Sequence, residues 1–244
     1  MILRPTIFNN LPVIAAQSTR LGGVSPAPFE SMNLGLSVND DEKNVWKNRE
    51  LFFGGLGIEL SQLAKSHQVH GTAVHVATAG GSVEGFDAQI TNKRGVFLVA
   101  SIADCTPVLI YDTKNKAVAA IHAGWKGTVG GIVSATLLKM QQEYGTVGAD
   151  CRAFIGACIS YKNFEVDNDV AQHFDASLKR FDAEKQKWFV DLKAANKQQL
   201  LAAGLKEENI EISDYCTVEN NALFFSHRKE KGKTGRMMVV IGMP

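Results

Sequence analysis

Hydrophobic positions along this chain recur with a period that changes from segment to segment, and each change marks an element. Val74 and Val76 alternate with His75, which predicts a half-buried strand over 73–77. Nearly continuous apolar runs follow at 96–102, 108–111 and 117–121, the last two separated by the polar turn Lys114-Asn115-Lys116. Runs of this kind are covered on both faces, so they predict a central sheet. Further strands are predicted at 152–155, 222–225 and 237–241, the last two flanking a polar turn at 229–235. Asp40-Asp41-Glu42 opens an amphipathic helix that carries Val45, Trp46, Arg49, Leu51 and Phe52 and ends at Gly54-Gly55, its first-turn acids suiting the helix dipole. Other helices are predicted over 128–144 with Thr128 as N-cap, over 166–174, and over 192–203, where Gly204 closes the last. The first fifty residues read as loop, because glycine and proline punctuate residues 20–28 and Asn33-Leu34-Gly35 follows.

No internal repeat, low-complexity segment or linker interrupts this series. A chain of 244 residues is then expected to form one mixed α/β domain, 1–244, since its connections vary too much for a regular doubly wound fold. The 26 basic and 25 acidic residues leave a formal charge of +1, too little to gather a polyanion, so nucleic acid is not an expected partner. No apolar run approaches the ~20 residues of a membrane helix, and residues 1–5 lack the pattern of a secretory signal. Cys105, Cys151, Cys158 and Cys216 form no CxxC pair, which suits a reducing compartment. A cytoplasmic location follows as the expectation. No heptads are present, and a monomer is expected.

Three residues with ligand chemistry stand where strands and loops meet: His70 in Gln68-Val69-His70-Gly71, just before a strand, and, directly after buried strands, Cys105 in Ala103-Asp104-Cys105-Thr106-Pro107 and His122 in Ile121-His122-Ala123-Gly124-Trp125. Strand ends of a covered sheet are where ligand crevices form. Imidazole and thiolate are donors that zinc prefers, three of them leave a fourth position open, and copper accepts the same set. The spacings match no local zinc motif, and each residue taken singly also has an ordinary reading as core or as a hydrogen-bonded loop residue. The glycine-rich turn before Thr128, with Lys126, is either an anion cradle or a plain strand-to-helix turn. Arg20, Arg49, Asp87, His227 and Arg228 are each a possible phosphate or proton-transfer group, or equally a surface charge.

Taken together the motifs alter this balance. Residues 20–25, 31–35, 48–49, 68–71, 87–91, 103–107, 122–126 and 226–228, in this order, resemble the YfiH or laccase-domain family, also called the polyphenol oxidase or purine nucleoside phosphorylase family. The resemblance implies layered β-sheets flanked by helices and one metal site, whose two histidines and cysteine map onto His70, Cys105 and His122. It implies a zinc enzyme acting on small molecules: phosphorolysis of adenosine, inosine and methylthioadenosine, and deamination of adenosine. The older family name implies copper-dependent phenol oxidation, and editing of peptidoglycan precursors has also been attached to the family. Two positions depart from the pattern. Ala157 stands where proline often precedes Cys158, and His227 stands where tyrosine is frequent, a change that bears on substrate selectivity.

The residues weigh these activities unequally. A multicopper oxidase needs about ten histidines in paired His-x-His segments, whereas this chain has 6 histidines and no such pair. Copper oxidation is therefore expected only as a side activity at one open site. Deamination has a direct account in metal-activated water attacking C6 of adenine, although the His-x-Glu and Pro-Cys-x-x-Cys deaminase signature is absent; Asp104 and Asp87 are the candidate proton carriers. Phosphorolysis needs an anion site, for which Arg49, Lys126 and the helix start at Thr128 are the candidates. A different class, a cysteine hydrolase with Cys105 as nucleophile and His122 or His70 as base, has sound Cys–His logic but no local signature. A non-enzymatic binding protein would show metal-dependent association without turnover.

Overall fold

A computed structural model of the chain describes residues 2–244; Met1, the start of the N-terminal stretch read above, lies outside them. The first half runs β1 (Ile2–Leu3), β2 (Ile14–Ser18), α1 (Glu42–Gly54), β3 (Leu63–His67), β4 (Val74–Val76), β5 (Gly81–Glu84), β6 (Ala88–Thr91), β7 (Phe97–Ile102), β8 (Thr106–Asp112) and β9 (Ala117–Ala123). The second runs α2 (Trp125–Val129), α3 (Ile132–Tyr144), β10 (Cys151–Ile155), β11 (Glu165–Val166), α4 (Asn168–Ala171), β12 (Lys179–Asp182), β13 (Lys187–Val190), α5 (Leu192–Ala202), β14 (Ile210–Ile212) and β15 (Met237–Gly242).

Two six-stranded sheets form the body, ordered β1-β2-β15-β7-β3-β5 and β14-β10-β8-β9-β6-β4, and a small sheet β11-β13-β12 stands apart. Alternation along the strands explains the layering. In β7, Leu98, Ala100 and Ile102 join Leu109 and Tyr111 of β8 and Val239 and Ile241 of β15 in the core between the sheets. The intervening residues Phe97 and Val99 pack with Phe52 and Phe53 of α1 on the other side. Val108 and Ile110 of β8 likewise turn away to meet Ile132, Val133, Leu137 and Met140 of α3 and Leu200 of α5. The result is one mixed α/β domain with helix, sheet, sheet and helix in layers. Both faces of the central strands are covered, which is why they read as continuous apolar runs even though β7–β15 and β8–β9 are antiparallel.

Several expectations are corrected. The helix over 128–144 is two helices, because the chain turns at Gly130-Gly131, where Gly131 has φ 79° and a side chain on Gly130 would lie 2.6 Å from Thr72 Cγ2. Thr128 is therefore no N-cap; it is buried inside α2, whose N-cap is Gly124. Val166 pairs with Trp188 in the small sheet, which shortens the helix expected over 166–174 to Asn168–Ala171. Residues 222–225 form a turn, with the Leu223 and Phe224 amides donating to the Asn220 carbonyl, and Phe224 and Phe225 plug the core. The expected loop region before residue 50 contains β2, buried between β1 and β15. Among the described residues no helix is long and apolar enough to cross a membrane.

Candidate active site

The ends of three strands meet at one point. The donor atoms of His70, Cys105 and His122 lie within 4.8 Å of one another, the only such group of three or more His, Cys, Asp or Glu among the described residues. Cys105 Sγ is 3.9 Å from His70 Nε2, and the two imidazoles meet edge to face with centroids 4.9 Å apart.

Each side chain is placed by a local device. Past β3, the Gln68 side-chain amide donates to the Ser101 carbonyl at 2.8 Å and accepts the Ser101 amide at 2.7 Å, clamping the loop to β7. The next three backbone N–H groups all donate to Asp87: Val69 at 3.1 Å, His70 at 2.9 Å and Gly71 at 2.7 Å. This concave run holds His70 at φ 60°, a left-handed conformation that a non-glycine residue adopts only when its surroundings fix it. Asp87 Oδ1 also accepts from His122 Nδ1 at 2.8 Å. In the neutral ring that bond keeps the proton on Nδ1 and leaves Nε2 as the ligand atom, the arrangement that metal-binding histidines use. Asp104, at φ 81°, fixes Cys105: its carboxylate accepts Thr217 Oγ1 at 2.5 Å and the Arg228 amide at 2.6 Å. Both candidate proton carriers are thus occupied in holding loops.

The electrostatics suit a cation. Burial alone would raise the Cys105 thiol, but the His122 and His70 imidazoles beside it bring it down to about 6. Burial would lower His122, and the Cys105 thiolate with the Asp87 carboxylate pushes it up to about 9. Burial also opposes the Asp87 charge, yet the His122 and Gly71 hydrogen bonds hold its carboxyl below the usual range. Two imidazoles and a thiolate, one imidazole oriented through its second nitrogen, form a group that can hold a metal ion with a position left open. Gly124 makes room for it, since a Cβ there would lie 2.8 Å from His70 Cδ2 and 3.4 Å from Cys105 Sγ. We expect Gly124→Val to turn the His70 ring aside and weaken metal affinity by about tenfold or more, with the fold retained. Metal titration beside circular dichroism checks this, and wild-type affinity in the variant would refute it.

The three donors open on a cavity of about 460 Å³. Trp125, Ile159, Phe164 and Leu192 give it an apolar side, Ser37, Ser66, Ser101 and His67 a polar one, and His227, Arg228 and Arg236 complete the wall. The structure does not bring Arg49 or Lys126 into this lining. Arg49 is buried under α1, donating Nε and Nη2 to the Leu34 carbonyl at 2.9 and 2.8 Å with its guanidinium over Trp46. Lys126 is exposed, its ammonium 5.7 Å from the Trp125 ring centre. Arg20 is paired with Glu230 at 3.0 Å. Sequence reasoning missed Arg236 and Phe164; the former had one signal, its place directly before the apolar strand β15.

A family model described as multi-copper polyphenol oxidoreductase laccase matches residues 14–244. The purine nucleoside phosphorylase YlmD of Bacillus subtilis is 37% identical over 250 residues, covering 96% of this chain and 90% of that protein. Among solved structures, the Bacillus licheniformis hypothetical protein YfiH matches with a TM-score of 0.94 at 33% identity, covering 100% of this chain and 96% of that one. YlmD from Geobacillus stearothermophilus matches at 0.93 and 33% identity, covering 99% and 96%.

Proposed function

The chain belongs to the multi-copper polyphenol oxidoreductase laccase family, and from that membership and the site we propose that it is a zinc-dependent purine nucleoside phosphorylase. Its substrates on this reading are adenosine, inosine and methylthioadenosine, with deamination of adenosine at the same centre. The observation that carries the proposal is the His70, Cys105 and His122 group opening on a cavity with both apolar and cationic walls. The volume, about 460 Å³, falls in the range of small-ligand sites.

A metal ion held by these donors supplies Lewis-acid stabilisation of charge developing on an oxygen or nitrogen of the reacting groups. The chain's own residues do the rest. Trp125 and Phe164, with Ile159 and Leu192, offer flat and apolar contact to a purine. The serine hydroxyls and His67 offer partners for ribose hydroxyls. Asp87 keeps the His122 Nδ1 proton and thereby the ring's orientation. The same donors accept copper, but a single group of three is far from a multicopper array, so phenol oxidation enters this reading only as a side activity.

The test is turnover of adenosine by metal-loaded protein with and without phosphate. Phosphate-dependent adenine and ribose 1-phosphate, together with phosphate-independent inosine and ammonia, are the expected products. Absence of the sugar 1-phosphate from all three nucleosides, ribose 1-phosphate from adenosine and inosine and 5-methylthioribose 1-phosphate from methylthioadenosine, would overturn the phosphorylase reading. One observation favours a second reading, a Cys–His hydrolase: Cys105 Sγ lies 3.9 Å from His70 Nε2, and the His122 and His70 imidazoles beside it bring the thiol down to about 6 against burial.

A further inference from the structure

Two arginines, Arg228 and Arg236, line the cavity that holds the metal donors, and neither forms an ion pair among the described residues. Their anchors are carbonyl oxygens. Arg236 Nη1 donates to the Thr234 and Gly235 carbonyls at 3.0 and 3.1 Å, and its stem packs where a side chain on Gly35 would lie 2.6 Å from Arg236 Cγ. Arg228 Nη1 donates to the Glu165 carbonyl at 2.9 Å and lies over the Phe164 ring, 5.6 Å from its centre. Carbonyls direct a guanidinium but leave its charge uncancelled, whereas Glu230 cancels that of Arg20. Arg236 is half-buried, and burial lowers its pKa against the opposing pull of Cys105 and Asp104. Those two are the anionic groups on the same wall. Asp104 has its oxygens on Thr217 Oγ1 and the Arg228 amide, and the Cys105 thiolate is the group a metal would neutralise.

We propose that Arg236, with Arg228, forms the oxyanion subsite of this cavity and holds the hydrogen phosphate whose oxygen bonds to the sugar C1′ as the C1′–N9 bond breaks, the purine leaving with that electron pair and taking up the proton the phosphate gives up. The proposal rests on the phosphorylase reading above and assigns the phosphate to residues different from Arg49 and Lys126. A planar guanidinium presents paired N–H groups to two oxygens of one phosphate, which places the nucleophile beside the metal group while the apolar wall holds the base.

The experiment compares Arg236→Met, Arg236→Lys and Arg228→Met with the natural chain, all metal-loaded and checked for metal content and melting temperature. It reads phosphate KM and nucleoside KM in phosphorolysis, and, without nucleoside, the binding of inorganic phosphate by titration calorimetry. Loss of one charge-assisted contact predicts a rise in phosphate KM of ~10-fold to ~100-fold in Arg236→Met, a matching loss of phosphate binding, and a smaller change in nucleoside KM. Arg236→Lys should recover part of the loss. Should Arg236→Met fail to fold, Arg236→Lys and Arg228→Met decide the matter by the same readouts. Phosphorolysis with unchanged phosphate KM and binding in all folded variants would overturn the subsite. A natural chain that binds phosphate through Arg236 yet makes no ribose 1-phosphate would sink the phosphorylase reading while upholding an anion subsite. A natural chain that does neither would sink both.

Discussion

Cys105→Ala is expected to yield a folded protein that no longer retains metal and turns over nucleoside slower by on the order of a hundredfold or more. The side chain is only partly buried, and its loss leaves two imidazoles that hold zinc weakly. The same residue separates the metalloenzyme from the Cys–His hydrolase by its reactivity toward iodoacetamide. A thiolate bound to metal is protected, so alkylation of Cys105 should be slow until a chelator is added. In the stripped protein the rate should rise with pH through a midpoint near 6, where the His122 and His70 imidazoles overcome burial to hold the thiol. Below that pH the sulfur is protonated and unreactive; above it the thiolate persists. Interference from other cysteines is small, because Cys151 and Cys158 are buried and pushed up to about 12 by that burial, and Cys216 is buried as well. A metal-free protein that stays active and loses activity on alkylation would make Cys105 a nucleophile and end the metal reading.

What the sequence made legible follows from locality. The strands β7, β8 and β9 stood out because each side chain from Val108 to Tyr111 meets apolar neighbours on one face or the other. The candidate donors stand out because Cys105 and His122 close apolar segments and His70 precedes the strand over 73–77, although His122 itself lies within β9, paired with Pro107. Polar or short segments were harder to read. The small sheet of β11, β12 and β13 carries exposed residues such as Phe181, and Val166 reads as helical because nothing local reveals its pairing with Trp188. The cations of the cavity wall were least legible of all. Arg49 lies in a recognisable motif, yet α1 folds it onto the Leu34 carbonyl, while Arg236 reaches the wall only because β15 pairs between β2 and β7. Such placement depends on contacts some two hundred residues apart in the chain, such as the Arg236 amide on Asn33 Oδ1, which no periodicity encodes.

Asp87→Asn tests how much of the site's metal affinity resides outside its three donors. The substitution preserves shape and removes one acceptor. Asp87 Oδ1 takes the His70 amide and His122 Nδ1, and Oδ2 takes the Val69 and Gly71 amides, so all four donors are served by two oxygens. An asparagine must set its NH2 group against one of these pairs. Facing the loop, it leaves the Val69 and Gly71 N–H groups unpaired and loosens the left-handed turn at His70. Facing His122, it forces the ring to accept at Nδ1 and carry its proton on Nε2, the atom needed for metal. Either outcome should weaken zinc binding by ~10-fold to ~100-fold, the usual effect of losing a carboxylate behind a metal-binding histidine. Saturating zinc should restore much of the turnover, since no reacting atom is removed. The His122 proton supplies the readout that a general loss of stability would not move. In metal-free protein burial lowers the pKa of this group, and the Cys105 thiolate and the Asp87 carboxylate raise it to about 9; without the carboxylate, His122 should deprotonate at a lower pH. Nitrogen-15 spectra of the imidazole would record both the lowered midpoint and the changed tautomer. An Asp87→Asn protein with natural zinc affinity and its proton still on Nδ1 would mean that packing alone orients His122, and that Asp87 serves only the loop.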